Sequence, residues 1–307
     1  MKTIHTTNYK LYNNKTNSEF KICLMSDLHY CHEIKDEKLN MILKKIEKIE
    51  PNYTMIPGDL VEGKEEIKNI QDRKRILIWL KEISNISKTL ISLGNHDYFN
   101  TNLNLKNIST YLKYQLLRDF FNEIAEYSNL YVLNNENFSD DKIFVTGYSQ
   151  SKYYFKNDNI ENKDFKYDEL NKLIKNNTIP NDKINFLMAH SPMYLDDKEF
   201  LDLLENYDYF LSGHMHNGVV PPILYEIWNS SKGIIAPNRT LFPKNSRNTL
   251  KAKDDKLVVT GALSTIHEYL KPYNMFNFIY PSYMTILDFT KDKKFDTKKV
   301  YTKRYYR

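Results

Sequence analysis

Five of the eight histidines in this chain sit in short polar motifs, and each motif directly follows an apolar run that reads as a strand. In chain order the motifs are Asp27-Leu28-His29, Gly58-Asp59, Gly94-Asn95-His96-Asp97, His190-Ser191-Pro192 and Gly213-His214-Met215-His216. Aspartate and histidine ligate divalent metals that accept both oxygen and nitrogen. An Asp-x-His or His-x-His pair just past a strand can turn two side chains toward one point. A glycine before Asp59, Asn95 and His214 permits the close backbone approach that a loop ligand needs. Seven such ligands are too many for one ion and suit two. Any single motif is weak, because Gly58-Asp59 alone is an ordinary turn. The ordered set is the signal, since ligands of α/β proteins bind beyond the carboxyl ends of strands.

The elements that must position these motifs alternate strand and helix, the pattern of α/β layers. Apolar runs predict strands at 21–26, 53–56 and 89–92, the last two stopped by Pro57-Gly58 and Gly94. Helical spacing predicts helices over 38–49, 73–86 and 111–127, the first with apolar residues at 39, 42, 43, 46 and 49. The second half predicts strands at 143–146, 184–189, 209–211, 257–260 and 284–289, and short helices near 166–175 and 197–205. Residues 217–256 have weak periodicity and carry Pro221-Pro222, Pro237 and Pro243, and an irregular segment that long in a compact domain is usually functional or mobile. The chain divides into a polar extension (1–20), one domain (21–290) and a Lys-rich segment (291–307).

Composition narrows the function classes. The 307 residues are 41% hydrophobic and 27% charged, ordinary for a soluble globular protein. With 8 Gly and 10 Pro, a collagen-like or low-complexity chain is excluded. No run approaches the ~18 apolar residues of a membrane span. The polar N-terminal stretch lacks the apolar core of a secretory signal, so the expected compartment is the cytoplasm. Two cysteines, Cys23 and Cys31, exclude a disulfide framework or a Cys-rich zinc site. The net charge of +5 permits an anionic partner without demanding one, and only seven of the 44 basic residues are Arg.

The five motifs resemble the signature of the calcineurin-like metallophosphoesterases, with no ligand missing, over about 21–216. Within that family the chain is similar to a bacterial branch of small, stand-alone phosphoesterases. The resemblance implies a four-layer α/β/β/α sandwich with a two-metal site at one edge. It implies Asp27, His29 and His216 on one metal and Asn95, His190 and His214 on the other, with Asp59 bridging both. His96 would sit beside the substrate phosphate, with Asp97 orienting its ring. The implied cofactors are two divalent ions, Mn, Fe or Zn, with activity strongest on Mn²⁺. The implied reaction is hydrolysis of phosphate esters, diesters ahead of monoesters, by in-line attack of a hydroxide bridging metals about 3.5–4 Å apart. The residual positive charge would favour the charge-dispersed transition state, and His96 would stabilise or protonate the leaving oxygen. A reading from a different class is a catalytically silent scaffold that binds a partner. Retention of His96, Asp97 and all seven ligands argues against it.

Substrate choice must come from outside the motifs. Arg239 and Arg247 lie in the irregular segment, where an Arg fork could grip a phosphate or carboxylate. His32 could line the same pocket. The ordinary alternatives are salt-bridged surface arginines and an exposed turn histidine. The aromatic-rich stretch 267–284 could meet a lipid headgroup or nucleobase, or simply pack in the core. The expected partner is a phosphorylated small molecule or lipid headgroup. Nucleic acid is not favoured, because no nucleic-acid-binding motif accompanies the aromatics.

Overall fold

The computed structural model describes residues 4–12, 14–15, 18–63, 67–97, 108–150, 163–175, 177–192, 202–221, 224, 231–236, 241–247, 256–264 and 282–293. The described chain runs β1 (Ile4–Tyr12), β2 (Phe20–Leu24), α1 (Asp36–Ile49), β3 (Tyr53–Pro57), α2 (Ile70–Ile86), β4 (Lys88–Ser92), α3 (Ile108–Ala125), β5 (Leu130–Val132), β6 (Glu136–Ser139), β7 (Ile143–Tyr148), α4 (Lys163–Lys175), β8 (Ile184–Ala189), β9 (Tyr209–Ser212), β10 (Leu257–Val259) and β11 (Ser282–Thr290). One sheet has the order β1-β11-β2-β3-β4-β5 and the other β10-β9-β8-β7-β6. Strands β2 to β5 pair in parallel, as do β7 to β10. The exceptions are β11, antiparallel to β2, and β6, antiparallel to β7.

Strand alternation sorts the side chains into layers. Leu24, Met55 and Leu90 are cross-strand neighbours, and all three face the second sheet. There they meet Val145, Phe186, Met188 and Leu211. Ile56 and Ile91 point the other way, onto Ile42 and Ile46 of α1, Leu80 and Ile83 of α2, and Phe120 and Ile124 of α3. On the far side of the second sheet, Leu170 of α4 joins Leu187 and Phe210. The layers are therefore helix, sheet, sheet, helix, as the resemblance implied.

Local sequence explains the helix limits. Leu39, Ile42, Ile46 and Ile49 make one buried stripe on α1. Asp36 and Glu37 sit in its first turn and Lys48 in its last, matching the helix dipole. The helix ends at Glu50, which is left-handed and precedes Pro51. Asn69 caps α2 by accepting from the N–H groups of Gln71 and Asp72.

The structure differs from the sequence expectation at three strands. β1 lies within the 1–20 stretch that reads as an extension, yet it pairs with β11 along its whole length. It is an edge strand whose buried set includes Thr6 beside Tyr9 and Leu11, so apolar alternation is broken. β5 and β6 are three and four residues long, too short for a periodic signal. Most of the helix expected near 197–205 lies outside the described residues, as do Arg239, 265–281 and 294–307.

Candidate metal centre

Each motif begins where a strand stops. Asp27 and His29 follow β2, Asp59 follows β3, Asn95 follows β4, His190 follows β8, and His214 and His216 follow β9. β2, β3 and β4 are neighbours in one sheet, and β8 and β9 are neighbours in the other. The site thus forms where the carboxyl edges of both sheets meet. Two glycines permit the close approach. A Cβ on Gly58 would stand 2.6 Å from the Gly94 Cα, and one on Gly94 would overlap Asp59 Oδ1. The backbone bends sharply at the clustered residues themselves. Asp27 (φ 55°), His29 (46°), Asp59 (52°), His214 (63°) and His216 (45°) are all left-handed. Such residues are uncommon and concentrate at functional sites.

The ligand atoms of Asp27, His29 and His216 lie within 4.8 Å of one another, and so do those of Asp59, His190 and His214. In the first group, Asp27 Oδ1 is 3.4 Å from His216 Nε2 and 3.8 Å from His29 Nε2. In the second, His190 Nε2 is 3.0 Å from Asp59 Oδ2 and 3.2 Å from His214 Nδ1. Asp59 joins the groups, because its Oδ2 is also 3.5 Å from His29 Nε2. Hydrogen bonds set the rings. His190 Nδ1 donates to the Pro57 carbonyl at 2.7 Å, and His29 Nδ1 donates to Glu62 Oε2 at 2.7 Å. Both rings therefore turn Nε2 inward, as carbonyl- or carboxylate-supported metal ligands do.

The donor set fits divalent cations. Asp27 Oδ1 and Asn95 Oδ1 are buried with no hydrogen-bond donor on either. Asp27 Oδ1 faces the imidazoles of His29, His190 and His216, so it is open to a cation held among them. Mutual electrostatics set the charge of each group in the cluster. Burial opposes ionisation of Asp27, but His216 and His29 hold its carboxyl well below the usual range. Burial opposes Asp59 too, and His190 outweighs it. Burial disfavours the His190 cation, yet the Asp59 carboxylate lifts it to about 9. At His214, burial and the adjacent His190 prevail and push the ring down to about 3. Both carboxylates are thus charged and His214 is neutral, the forms that bind metal, whereas His190 and His29, raised by the same carboxylates, would have to give up a proton to an incoming ion.

Two residues play parts that differ from the sequence reading. Asp97 was expected on the ring of His96. Instead its Oδ2 accepts the N–H groups of Leu60 (3.2 Å) and Gly94 (3.0 Å), and its Oδ1 accepts that of Val61 (3.1 Å). Those bonds tie the Asp59 loop to the Asn95 loop. Burial and the nearby Asp59 push the Asp97 carboxyl up to about 6. The ring of His96 is held by Glu62: its Nδ1 is 2.9 Å from the Glu62 carbonyl and 3.4 Å from the carboxylate. Glu62 therefore touches both His29 and His96, and sequence reasoning missed it. The available signal was an acid three residues past Asp59, in Gly58-Asp59-Leu60-Val61-Glu62.

The remaining candidates fall around the centre. Arg247 is buried, beside Ser246, which packs on Gly218 and Gly233 near the ligand turn. His32 is turned to solvent with its side chain 81% exposed, and its Nδ1 bonds Asp72 at 3.1 Å. It takes the ordinary turn role rather than joining the cluster. Cys23 and Cys31 are buried, and burial pushes both thiols up to about 12, so neither offers a thiolate.

The carboxyl edges of two sheets thus meet at a cluster of carboxylates and imidazoles that could hold metal ions. Residues 20–218 match the calcineurin-like phosphoesterase family, and the chain belongs to it. An uncharacterized metallophosphoesterase of Aquifex aeolicus is 24% identical over 256 residues, covering 79% of this chain and 85% of that one. One from Campylobacter jejuni is 22% identical over 207 residues, covering 67% of this chain and 46% of its own length. One from Helicobacter pylori is 26% identical over 214 residues, covering 69% and 48%. The chain spans about half the length of the Campylobacter and Helicobacter relatives it matches. Among solved structures it is similar to a dimetal phosphatase from Danio rerio (TM-score 0.40, 12% identity, 80% of this chain and 88% of that one). Phosphopantetheinyl hydrolase from Mycobacterium tuberculosis gives a TM-score of 0.38 at 12% identity, covering 67% and 85%.

Proposed function

We propose that this chain is a dinuclear metal-dependent phosphoesterase that hydrolyses phosphate esters, diesters ahead of monoesters. One observation carries the reading: Asp59 lies between two groups of oxygen and imidazole donors, with His29 on one side and His190 on the other. Asp27, His29 and His216 would hold one ion, Asn95, His190 and His214 the second, and Asp59 would bridge them. When bound, such a pair of ions supplies an activated water and positive charge for the phosphoryl oxygens.

The chain's own residues supply orientation and a proton. Pro57 and Glu62 fix the rings of His190 and His29 before any ion arrives. His96 Nδ1 donates to the Glu62 carbonyl, which fixes the ring, and in the doubly protonated form its Nε2–H would be the proton given to the leaving group. His96 is 34% exposed, whereas His190 and Asp27 are fully buried, so His96 stands at the mouth of the centre. The absence of thiolate from the donor set suits Mn, Fe or Zn. We expect the highest activity with Mn²⁺ and a phosphorylated small molecule or lipid headgroup as substrate.

The test is hydrolysis of bis- and mono-p-nitrophenyl phosphate by metal-stripped protein, with Mn²⁺, Zn²⁺ or Mg²⁺ restored separately. The expected result is metal-dependent turnover, faster on the diester and lost in Asn95→Ala. His96→Ala should keep both ions and lose roughly 10²- to 10⁴-fold in turnover, the usual worth of a general acid. No turnover with any metal while two ions remain bound would overturn the reading in favour of the scaffold.

A further inference from the structure

The sheet that carries His190 opens just before the cluster. Strands β7 and β8 pair in parallel from Ile143↔Ile184 to Tyr148↔Ala189, and the ladder stops there. Continued at the same register, it would set Ser149 against His190 and Gln150 against Ser191. Pro192 has no N–H with which to prolong a ladder. Gln150 fills the missing rung with its side chain. Its Oε1 accepts the Ser191 N–H at 2.6 Å, and its Nε2 donates to the Ser191 carbonyl at 3.1 Å.

The residue type suits the exchange. Gln150 and Ser191 are both buried, and buried main-chain groups without partners are costly. A primary amide carries a donor and an acceptor, so it satisfies both groups of Ser191 as a neighbouring peptide would. A carboxylate would lack the donor, and an apolar side chain would lack both. The end of β7 is itself anchored, because Ser149 N–H donates to Asn135 Oδ1 at 3.0 Å. The His190 backbone is thus held on two sides. Its carbonyl accepts the Gly213 N–H at 2.9 Å, and the residue after it is held by Gln150. Outside the ladder, His190 lays its ring against Pro57 of the other sheet and brings Nε2 to Asp59. The Asp27–His29 turn is fastened elsewhere, by Ser264. Its N–H donates to the Asp27 carbonyl (3.0 Å) and its Oγ to the Leu28 carbonyl (2.7 Å).

We propose that Gln150 is a positioning residue for one half of the centre. By standing in for a ladder rung it fixes the His190 imidazole, and so sets the affinity for the ion that Asn95, His190 and His214 would hold. The inference rests on the two-ion reading above. Its action is indirect, through Ser191, and groups that orient a metal ligand typically change affinity about 10- to 100-fold when removed. The effect belongs to one ion, because Asp27 and His29 take their orientation from the Ser264 contacts instead.

The experiment measures Mn²⁺ affinity of the full chain by chelator competition, in two backgrounds that each leave one ion. His216→Ala keeps the Asn95, His190 and His214 ion, and His214→Ala keeps the Asp27, His29 and His216 ion. Adding Gln150→Leu should weaken binding about 10- to 100-fold in the first background and leave the second unchanged. In the otherwise wild-type chain, Gln150→Leu should lose turnover at limiting Mn²⁺ and regain it at excess, which a folding defect would not allow. Gln150→Glu keeps the acceptor for the Ser191 N–H and loses only the donor, so it should show the same one-sided loss in smaller measure. It reads the same difference if Gln150→Leu does not fold. Equal weakening in both backgrounds would make Gln150 a general stabiliser and overturn the proposal, as would unchanged affinity in the His216→Ala background. One-sided loss of affinity with no ester hydrolysis by the Mn²⁺-loaded wild-type chain would uphold the positioning role and refute the phosphoesterase reading separately.

Discussion

Asp140 and Asp27 are both largely buried carboxylates, and they are treated in opposite ways. Asp140 Oδ1 accepts the N–H groups of Lys142 (3.0 Å) and Ile143 (3.2 Å), and Oδ2 accepts Tyr53 Oη (2.8 Å) and Lys88 Nζ (2.8 Å). Its acceptor capacity is filled by the fold. Asp27 is half filled. Its Oδ2 accepts Ser26 Oγ (2.6 Å) and His214 N–H (3.0 Å), while Oδ1 is buried without a donor and faces three imidazoles. A fold saturates the acceptors it uses for its own stability. Asp27 Oδ1 is instead left open toward groups that could hold a metal with it. Asp97 sharpens the lesson. It belongs to a site motif, yet three backbone N–H groups occupy it, so its donors align it with Asp140 rather than with Asp27.

Breaking the open cluster should have the largest effect. Asp59→Ala removes the proposed bridge, and elemental analysis should find at least one ion lost and turnover undetectable. Two ions still tightly bound would remove Asp59 from the centre. A smaller effect is expected one step out, at Glu62→Ala. His29 loses its Nδ1 acceptor, and metal affinity should fall about 10- to 100-fold in chelator competition. Unchanged affinity would make the Glu62–His29 bond incidental.

The smallest effect should come from the filled cluster. Asp140→Ala should cost about 1–3 kcal/mol of stability in urea unfolding, with Lys88 partly exposed and discounted accordingly. Metal content and turnover per folded molecule should not change. Burial opposes ionisation of Asp140, but Lys88 and the surrounding N–H donors outweigh it and lower its pKa below the ordinary 3.8. A lowered carboxylate contributes stability above its unfolded value, and that stability is lost as pH falls through the native value. The wild-type advantage over Asp140→Ala should therefore be full at neutral pH and shrink on acidification. An advantage that grew toward acid would mean the carboxylate is not the stabilising form.

Much of the layout was legible because its signals are local. The strand at 184–189 and the helix stripe of α1 follow from apolar spacing, and the motifs stand at strand ends because that is where the chain turns. What escaped was set by partners distant in sequence. β1 is a strand because β11, far along the chain, pairs with it. The role of Asp97 depends on which N–H groups the Gly58–Val61 turn aims at it, and a neighbouring His96 in sequence gives no hint of that. Glu62 was hidden for the same reason: an acid in a loop acquires meaning only when two imidazoles are placed beside it. Arg239 falls outside the described residues, and Arg247 is buried close to the ligand turn, where a substrate role remains a proposal.

In the proposed centre, the left-handed backbone at five of the clustered residues would constrain which metals the chain can evolve to use. An ordinary L-residue held there costs roughly 1–2 kcal/mol, and Asn, Asp and His are among the few types that visit this region readily. The residue types that the turns tolerate are therefore the same types that donate oxygen and imidazole nitrogen. Replacing one by cysteine, to favour a softer metal, would set a new ligand against the geometry of its own main chain. Metal preference in such a centre would thus be written partly in φ angles, and a change of metal would have to begin by rebuilding the turns.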